Sequence, residues 1–296
     1  MKLKDIDIFS RATDQAPADI VIELHKKTRK RYKSQEAQST FPQDCENILY
    51  HLTNYNFDYS GPVHDLGANI VFIVGIPRCG KTTIEKLLSG TGAFECHDEL
   101  YFLRDMLGQI IGPDGLEYVY PEYLPKMMDQ IFPDMAKDFI ARLREQIGET
   151  DKFITNTMPA NFLYIPLLKK MLPRCKIIWC HRNRQKHLAA LYSKEFKNIL
   201  WYFTDDVEVL LEAYELYYHV YDLYKSKLPN GFLDVEFDNT LINPEKTLRS
   251  VLDFIELEYD DGVVEKTIEA NKEHIAKIRY IDDNIKKYLV YLPEFL

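Results

Sequence analysis

Short apolar runs rich in β-branched residues recur along the chain, separated by longer stretches whose apolar positions return every three or four residues. Ile70–Val74 (Ile-Val-Phe-Ile-Val) predicts a buried strand. Gly75–Gly80 reads as a loop, and Lys81–Ser89 as a helix ended by Gly90. Further strands are expected at Lys152–Thr155, Cys175–Cys180 and Gly231–Phe237. Helical spacing covers Lys126–Ile147, Asn161–Met171, Gln185–Phe196, Asp205–Lys227, Pro244–Phe254 and Val263–Ile278, followed by an irregular tail. Asn243 is placed to cap one of these helices, with Pro244 in its first turn. Strands alternating with helices predict an α/β fold, a parallel sheet covered by helices on both faces. No Ser/Gly linker divides the chain. One domain over 67–296 is therefore expected, with 1–66 as a helical lead-in packed on it.

Composition narrows the function. Apolar residues make up 46% of the 296, with 16 Phe and 20 Tyr, enough for a sizeable core. A formal charge of −9 argues against nucleic-acid binding, so an anionic ligand would need a local basic pocket. The basic run His25–Arg31 fits a solvated helix face, or else a patch for an acidic partner. No run approaches 18 apolar residues, so no membrane span is expected. Met1–Ser10 lacks the apolar stretch of a signal peptide. Five scattered cysteines do not make a disulfide framework, which favours a reducing, cytoplasmic setting.

The strongest local signal is Gly75-Ile76-Pro77-Arg78-Cys79-Gly80-Lys81-Thr82. It matches G-x-x-x-x-G-K-[ST] and lies between an apolar strand and a helix, as a phosphate-binding loop must. The glycines allow backbone N–H groups to approach phosphate oxygens, and the helix that follows presents its positive end. Lys81 adds a charge; Thr82 and Thr83 add hydroxyls. In nucleotide triphosphatases such a loop works with an acidic residue at another strand end. The strand ending Ile178-Trp179-Cys180-His181-Arg182 offers bases there, although Asp234 and Asp238 lie near a further strand.

Beyond the loop, from about residue 70 onward, the sequence resembles the sulfotransferase superfamily, in particular the branch of tyrosylprotein and bacterial stand-alone sulfotransferases. Pro77-Arg78-Cys79-Gly80-Lys81-Thr82 stands where that family has Pro-Arg-Ser-Gly-Thr-Thr. Glu99, in Cys96-His97-Asp98-Glu99-Leu100, falls in register with its catalytic Glu. Asn156–Phe162 resembles its Lys-x-Pro-x-Asn-Phe segment. Lys176–Asn183 resembles the strand end whose Arg, here Arg182, binds the 3′-phosphate of the sulfuryl donor PAPS. Asp234–Asp238 with Asn243-Pro244-Glu245 resembles its Val-x-Tyr-Glu-Asp-Leu…Asp-Pro-Glu segment. Tyr280–Tyr288, containing Lys286, resembles the segment that closes over the nucleotide. The departures are Lys81 for Thr, Thr157 for Lys, Ala190 for Ser, Phe237 for Tyr, and Asp282 and Asn284 near the C-terminal Ser positions.

The resemblance implies transfer of a sulfuryl group from PAPS to an acceptor hydroxyl or amine, leaving PAP and needing no metal. Glu99 would be the general base, and Arg78 and Lys81 would stabilise the leaving phosphate. Pro77, Arg78, Cys79, Gly80, Lys81, Thr82 and Thr83 would cradle the donor's 5′-phosphosulfate. Arg182, Lys186 and Lys286 would hold the rest of it. Asp98 or His97 is a rival for the base. The Cys96-His97 and Cys180-His181 pairs could form a metal site only if they converged, and adjacent ligands are not the usual zinc spacing. Residues 96–150 and 195–225 are expected to shape the pocket for an unidentified acceptor, and a homodimer is possible. Two other functions are compatible with the residues. One is a Mg-ATP-dependent small-molecule kinase using Gly80-Lys81-Thr82; the other is a non-catalytic nucleotide-binding protein on a degenerate sulfotransferase fold.

Overall fold

The computed structural model describes residues 39–58, 61, 64–111, 115–194 and 196–289, the side chains of 109 and 286–289 excepted. The lead-in before residue 39, with the basic run His25–Arg31, lies outside the described residues. The chain forms two compact units. The larger takes in Asn47–His181 and Tyr221–Asn271; the smaller contains Arg182–Val220 together with 39–46 and 272–289.

The larger unit is a five-stranded parallel sheet in the order β2-β5-β1-β6-β7. Its strands are β1 (Ile70–Val74), β2 (Phe94–Cys96), β5 (Phe153–Asn156), β6 (Lys176–His181) and β7 (Leu233–Glu236). The hairpin β3 (Gln109–Ile111) and β4 (Glu117–Val119) forms a separate antiparallel pair. β1 is central: Ile70 pairs with Ile154 of β5, and Val74 with Trp179 of β6. All five of its residues are buried, which a β-branched run achieves only between two covered faces.

Alternation along the strands assigns the faces. Val71, Ile73, Ile178 and Cys180 join Ile84, Leu87 and Leu88 of the helix Lys81–Gly90, and Leu248, Val251 and Leu252 of the helix Pro244–Phe254. On the opposite face Phe72 meets Phe139 at 6.2 Å, and Trp179 gathers Phe162, Tyr221, Tyr224 and Phe232. Each such side chain contributes about 1.5–3 kcal/mol on burial. As expected, Asn243 caps Pro244–Phe254, its side chain accepting from the Lys246 N–H at 3.0 Å.

Four predicted helices have a bound displaced by four residues or more, the one predicted as Gln185–Phe196 ending at Tyr192. The stretch predicted from Lys126 begins its α-helix at Phe132, after the 3-10 turns Leu124–Lys126 and Asp129–Ile131. Pro133 is the cause, because proline suits a first turn and breaks an interior. Pro166 acts likewise: Pro159–Tyr164 is 3-10 and the α-helix spans Ile165–Met171. The last helix runs from Asp261 to Leu289, past the predicted stop at Ile278, because no Gly or Pro stands between Ile278 and Leu289. The hairpin and the three-residue β2 were not predicted.

In the smaller unit Phe41 stacks on Phe203 at 4.5 Å and contacts Trp201 at 5.6 Å. The helices Arg184–Tyr192 and Val207–Lys227 bring His187 against Tyr214, with a 3.3 Å hydrogen bond between Nδ1 and the phenol oxygen. No described helix is long and apolar enough to cross a membrane.

Candidate functional site

The loop after β1 is built as the motif requires. Gly75, Arg78 and Gly80 all take positive φ, at 130°, 69° and 102°. For Arg78 this is an unfavourable conformation that the surrounding loop must hold. At Gly80 two constraints coincide. A Cβ there would meet ring atoms of Phe237 at 2.1, 2.6 and 2.9 Å. The helix Lys81–Gly90 starts at this point, Thr83 and Ile84 donating their N–H groups to the Gly80 carbonyl.

Lys81 is buried, 6% exposed, and its ammonium folds back on the loop. Nζ donates to the Gly75 carbonyl at 2.8 Å and to that of Ile76 at 3.3 Å, with Cys79 Sγ at 3.7 Å. Cys79 lies against Cys180 of β6. Burial pushes its thiol up, but the contacts with Cys180 and Lys81 outweigh burial and bring it to about 6. Cys180 is pushed the other way, first by Cys79 and then by burial. Pro77 and Thr83 are buried, Arg78 is half-buried and Thr82 is exposed.

The segment Cys96–Leu100 is fastened to the end of β5. Asn156 Oδ1 accepts from the N–H groups of Leu100 (3.3 Å) and Met158 (3.0 Å), and the Thr157 N–H donates to the Asp98 carbonyl at 2.9 Å. Asp98 turns the chain with a φ of 53°. Glu99 is exposed, and Tyr101 donates its phenol to Glu99 Oε2 at 2.7 Å. That bond, with some burial, pushes Tyr101 up to about 12.

Behind this segment is a carboxyl that the sequence reading missed. Glu85, 3% exposed, accepts from Thr155 Oγ1 at 2.5 Å and feels the charge of Asp98. Burial, aided by the Asp98 charge, pushes it up to about 7. Its signal was available: on Lys81–Gly90 the buried stripe is Lys81, Ile84, Glu85 and Leu88, a carboxylate on a core-facing row.

The sheet order separates the ends of β2 and β6 by two strands, so Cys96-His97 and Cys180-His181 do not lie on neighbouring strands. Among the described residues no group of three or more His, Cys, Asp or Glu is placed to hold a metal ion. His181 Nε2 instead lies 3.0 Å from Asp234 Oδ1, and Lys225 pairs with the other oxygen. Burial works against the Asp234 charge, but these two partners hold its carboxyl below the ordinary value. A cavity of about 560 Å³ lies between Met106, Tyr118, Met127, Met128, Ile131 and Met135, inside the span expected to shape an acceptor pocket.

Arg182 and Lys186 belong to the smaller unit. Both engage one buried carboxylate, Arg182 Nη2 on Asp282 Oδ1 at 2.8 Å and Lys186 Nζ on Oδ2 at 2.5 Å. The side chain of Lys286 lies outside the described structure.

Comparison with known proteins matches residues 71–261, more than half of the chain, to the model of the sulfotransferase family. An uncharacterized protein of Aquifex aeolicus is 24% identical over 203 residues, covering 66% of this chain but 26% of its own length. A putative protein-tyrosine sulfotransferase of Caenorhabditis briggsae is 20% identical over 195 residues, covering 66% of this chain and 68% of that one. The crystal structure of sulfotransferase STF9 from Mycobacterium avium superposes with a TM-score of 0.45 at 13% identity, covering 96% of this chain and 97% of the other. By the extent of the family match, which takes in the loop after β1 and every strand that follows it, this chain belongs to the sulfotransferase family.

Proposed function

We propose that the protein transfers a sulfuryl group from PAPS to an acceptor hydroxyl or amine. The observation that carries this reading is the family match over residues 71–261, which includes the whole Gly75–Thr83 loop. The loop fits an anionic donor: a helix N-terminus follows Gly80, and Lys81 carries a charge within reach of the loop's own carbonyls. The strands flanking β1 end in Asn156 and His181, neither a carboxylate, which favours sulfuryl transfer over magnesium-assisted phosphoryl transfer.

PAPS supplies the sulfuryl group. Pro77 to Thr83 hold the 5′-phosphosulfate through backbone N–H groups and the Thr82 and Thr83 hydroxyls. Arg78 and Lys81 meet the negative charge that grows on the leaving phosphate oxygen. On the strength of the sequence resemblance, Arg182, Lys186 and Lys286 are assigned to the 3′-phosphate side of the donor, and Glu99 to the acceptor's proton. The Met- and Tyr-lined cavity takes the body of the acceptor; thioethers adapt to irregular apolar shapes.

The test is calorimetric titration with PAP, beside ATP with and without magnesium. Metal-independent PAP binding that is lost in Lys81→Met and Arg182→Ala supports the reading. ATP binding that needs magnesium, without PAP binding, would replace it with a kinase. PAP binding with no sulfuryl transfer to any acceptor would leave a nucleotide-binding protein.

A further inference from the structure

Methionine is concentrated in one place. Of the seven in the chain, Met106, Met127, Met128 and Met135 line the cavity of about 560 Å³ beside the hairpin of β3 and β4. None of the four is packed away in the core: three are half-buried and Met128 is 67% exposed. The surface around them is apolar too. Five of the ten large apolar or aromatic side chains that the described residues leave exposed lie between Ile111 and Ile131. Scattered singly, such side chains mean little; gathered around a concavity, they mark a ligand site.

The walls of the cavity are set in advance. Ile110 and Tyr118 pair across the hairpin, so their side chains share one face of it, and both line the cavity. Tyr123 donates its phenol to the Leu107 carbonyl at 2.6 Å, and the Tyr120 N–H donates to the Gly108 carbonyl at 2.9 Å. These bonds fasten the hairpin to the helix Phe102–Leu107 that carries Met106. Met135 comes from the helix Phe132–Ile147.

The charges beside the cavity cancel. Lys126 Nζ lies 2.7 Å from Glu122, and Asp138 is offset by Arg142 one helical turn further on. A charged acceptor therefore gains nothing from the site. A sugar or an extended peptide carries hydrogen-bonding groups along its whole length, and walls of thioether and aliphatic carbon would leave many of them unpaired.

We propose that the acceptor is an uncharged alcohol or phenol carried on an apolar chain or ring, and that this cavity holds its apolar body. The proposal rests on the sulfuryl-transfer reading and keeps Glu99 as the base. Met106 stands on a helix that begins three residues after Glu99, within about 17 Å of it by chain length. The acceptor oxygen forms its bond to sulfur as the bond from sulfur to the bridging phosphate oxygen breaks. The electron pair stays on the 5′-phosphate of PAP, and the acceptor's proton passes to Glu99. Thioethers, being flexible and polarizable, let the cavity close on chains and rings of differing outline.

Two measurements on the whole chain test the proposal, with n-octanol, glucose and the peptide Gly-Gly-Tyr-Gly-Gly as probes. Methyl NMR of isotope-labelled methionine reads the cavity without any donor. Octanol should shift the Met106, Met127, Met128 and Met135 signals saturably and leave those of Met158 and Met171, buried away from the cavity, in place. Glucose and the peptide should shift none of them. Met128→Asp puts a charge on the apolar wall at an exposed position and should weaken octanol binding about tenfold or more, whereas Met128→Leu should retain it. In the second measurement, PAP release from PAPS should rise about tenfold or more with octanol and stay at the rate with water for the other two probes. The absence of a saturable octanol shift, or equal shifts with glucose or the peptide, overturns the proposal, while PAP release still decides whether sulfuryl transfer stands. Shifts of the same four signals on raising the protein concentration alone would make this face a contact between copies and overturn it as well. Octanol bound in the cavity with no PAP release under any condition would sink the sulfuryl-transfer reading instead, and the acceptor role of the cavity falls with it.

Discussion

Gly80→Ala is the sharpest test of how the loop after β1 is built, because two separate costs meet at one atom. The first is conformational. At φ 102° a side chain strains the backbone, at about 1–2 kcal/mol. The second is steric. The new Cβ would sit 2.1 Å from Phe237 Cδ2, and Phe237 is itself 5% exposed, so its ring cannot swing into solvent. Overpacking of this kind costs about 1–3 kcal/mol. The sum is about 2–5 kcal/mol, measured as the loss of unfolding free energy in a urea titration. The two parts separate in a double-mutant cycle. Phe237→Ala alone leaves a cavity and costs about 3–5 kcal/mol. In that background Gly80→Ala should cost only the conformational part. If it costs the same in both backgrounds, the Phe237 ring does not limit position 80 and the steric half of the reasoning is wrong.

Other predictions concern charge. Asp282→Asn frees Arg182 and Lys186 from a competing carboxylate; if they meet the donor's 3′-phosphate, PAP affinity should rise about tenfold or more while AMP affinity stays level, and an equal rise for both nucleotides would refute that. Because Glu85 holds its proton more tightly folded than unfolded, its contribution to stability falls as pH rises from the ordinary carboxylate range to about 7; Glu85→Gln should flatten that slope in thermal melts between pH 5 and 7. Asp234 is shifted the opposite way, so its contribution is present above about pH 4 and lost on further acidification; Asp234→Asn should weaken the protein at neutral pH and narrow its gap from wild type below that value. Asn243→Ala removes the cap on the Lys246 N–H and should cost about 1 kcal/mol in the same urea assay.

The strands and the turn after β1 were legible because they are local. Ile70–Val74 declares itself by branching and length, and the loop by the order of Gly, Lys and Thr. Boundaries moved where a proline chose its own place in a first turn, as at Pro133 and Pro166. β2 escaped because three residues carry too little pattern, and its status comes from pairing with β5. Glu85 escaped for a related reason. Its partners, Thr155 and Asp98, stand 70 and 13 positions away, and only the folded sheet brings them to one carboxyl. The contact of Arg182 with Asp282 spans 100 positions and has no local signature.

The resting contacts of Lys81 set a threshold for what the loop can retain. Its ammonium already has two carbonyl acceptors and the Cys79 sulfur, so a newcomer must displace a contact rather than supply a missing one. An uncharged hydroxyl offers nothing better than what it replaces. An anionic oxygen does, since charge-assisted bonds are roughly twice as strong as neutral ones. If the loop holds the donor as proposed, it should discriminate against neutral sugars and alcohols in favour of phosphate- or sulfate-bearing molecules, and its own backbone carbonyls would set that selectivity.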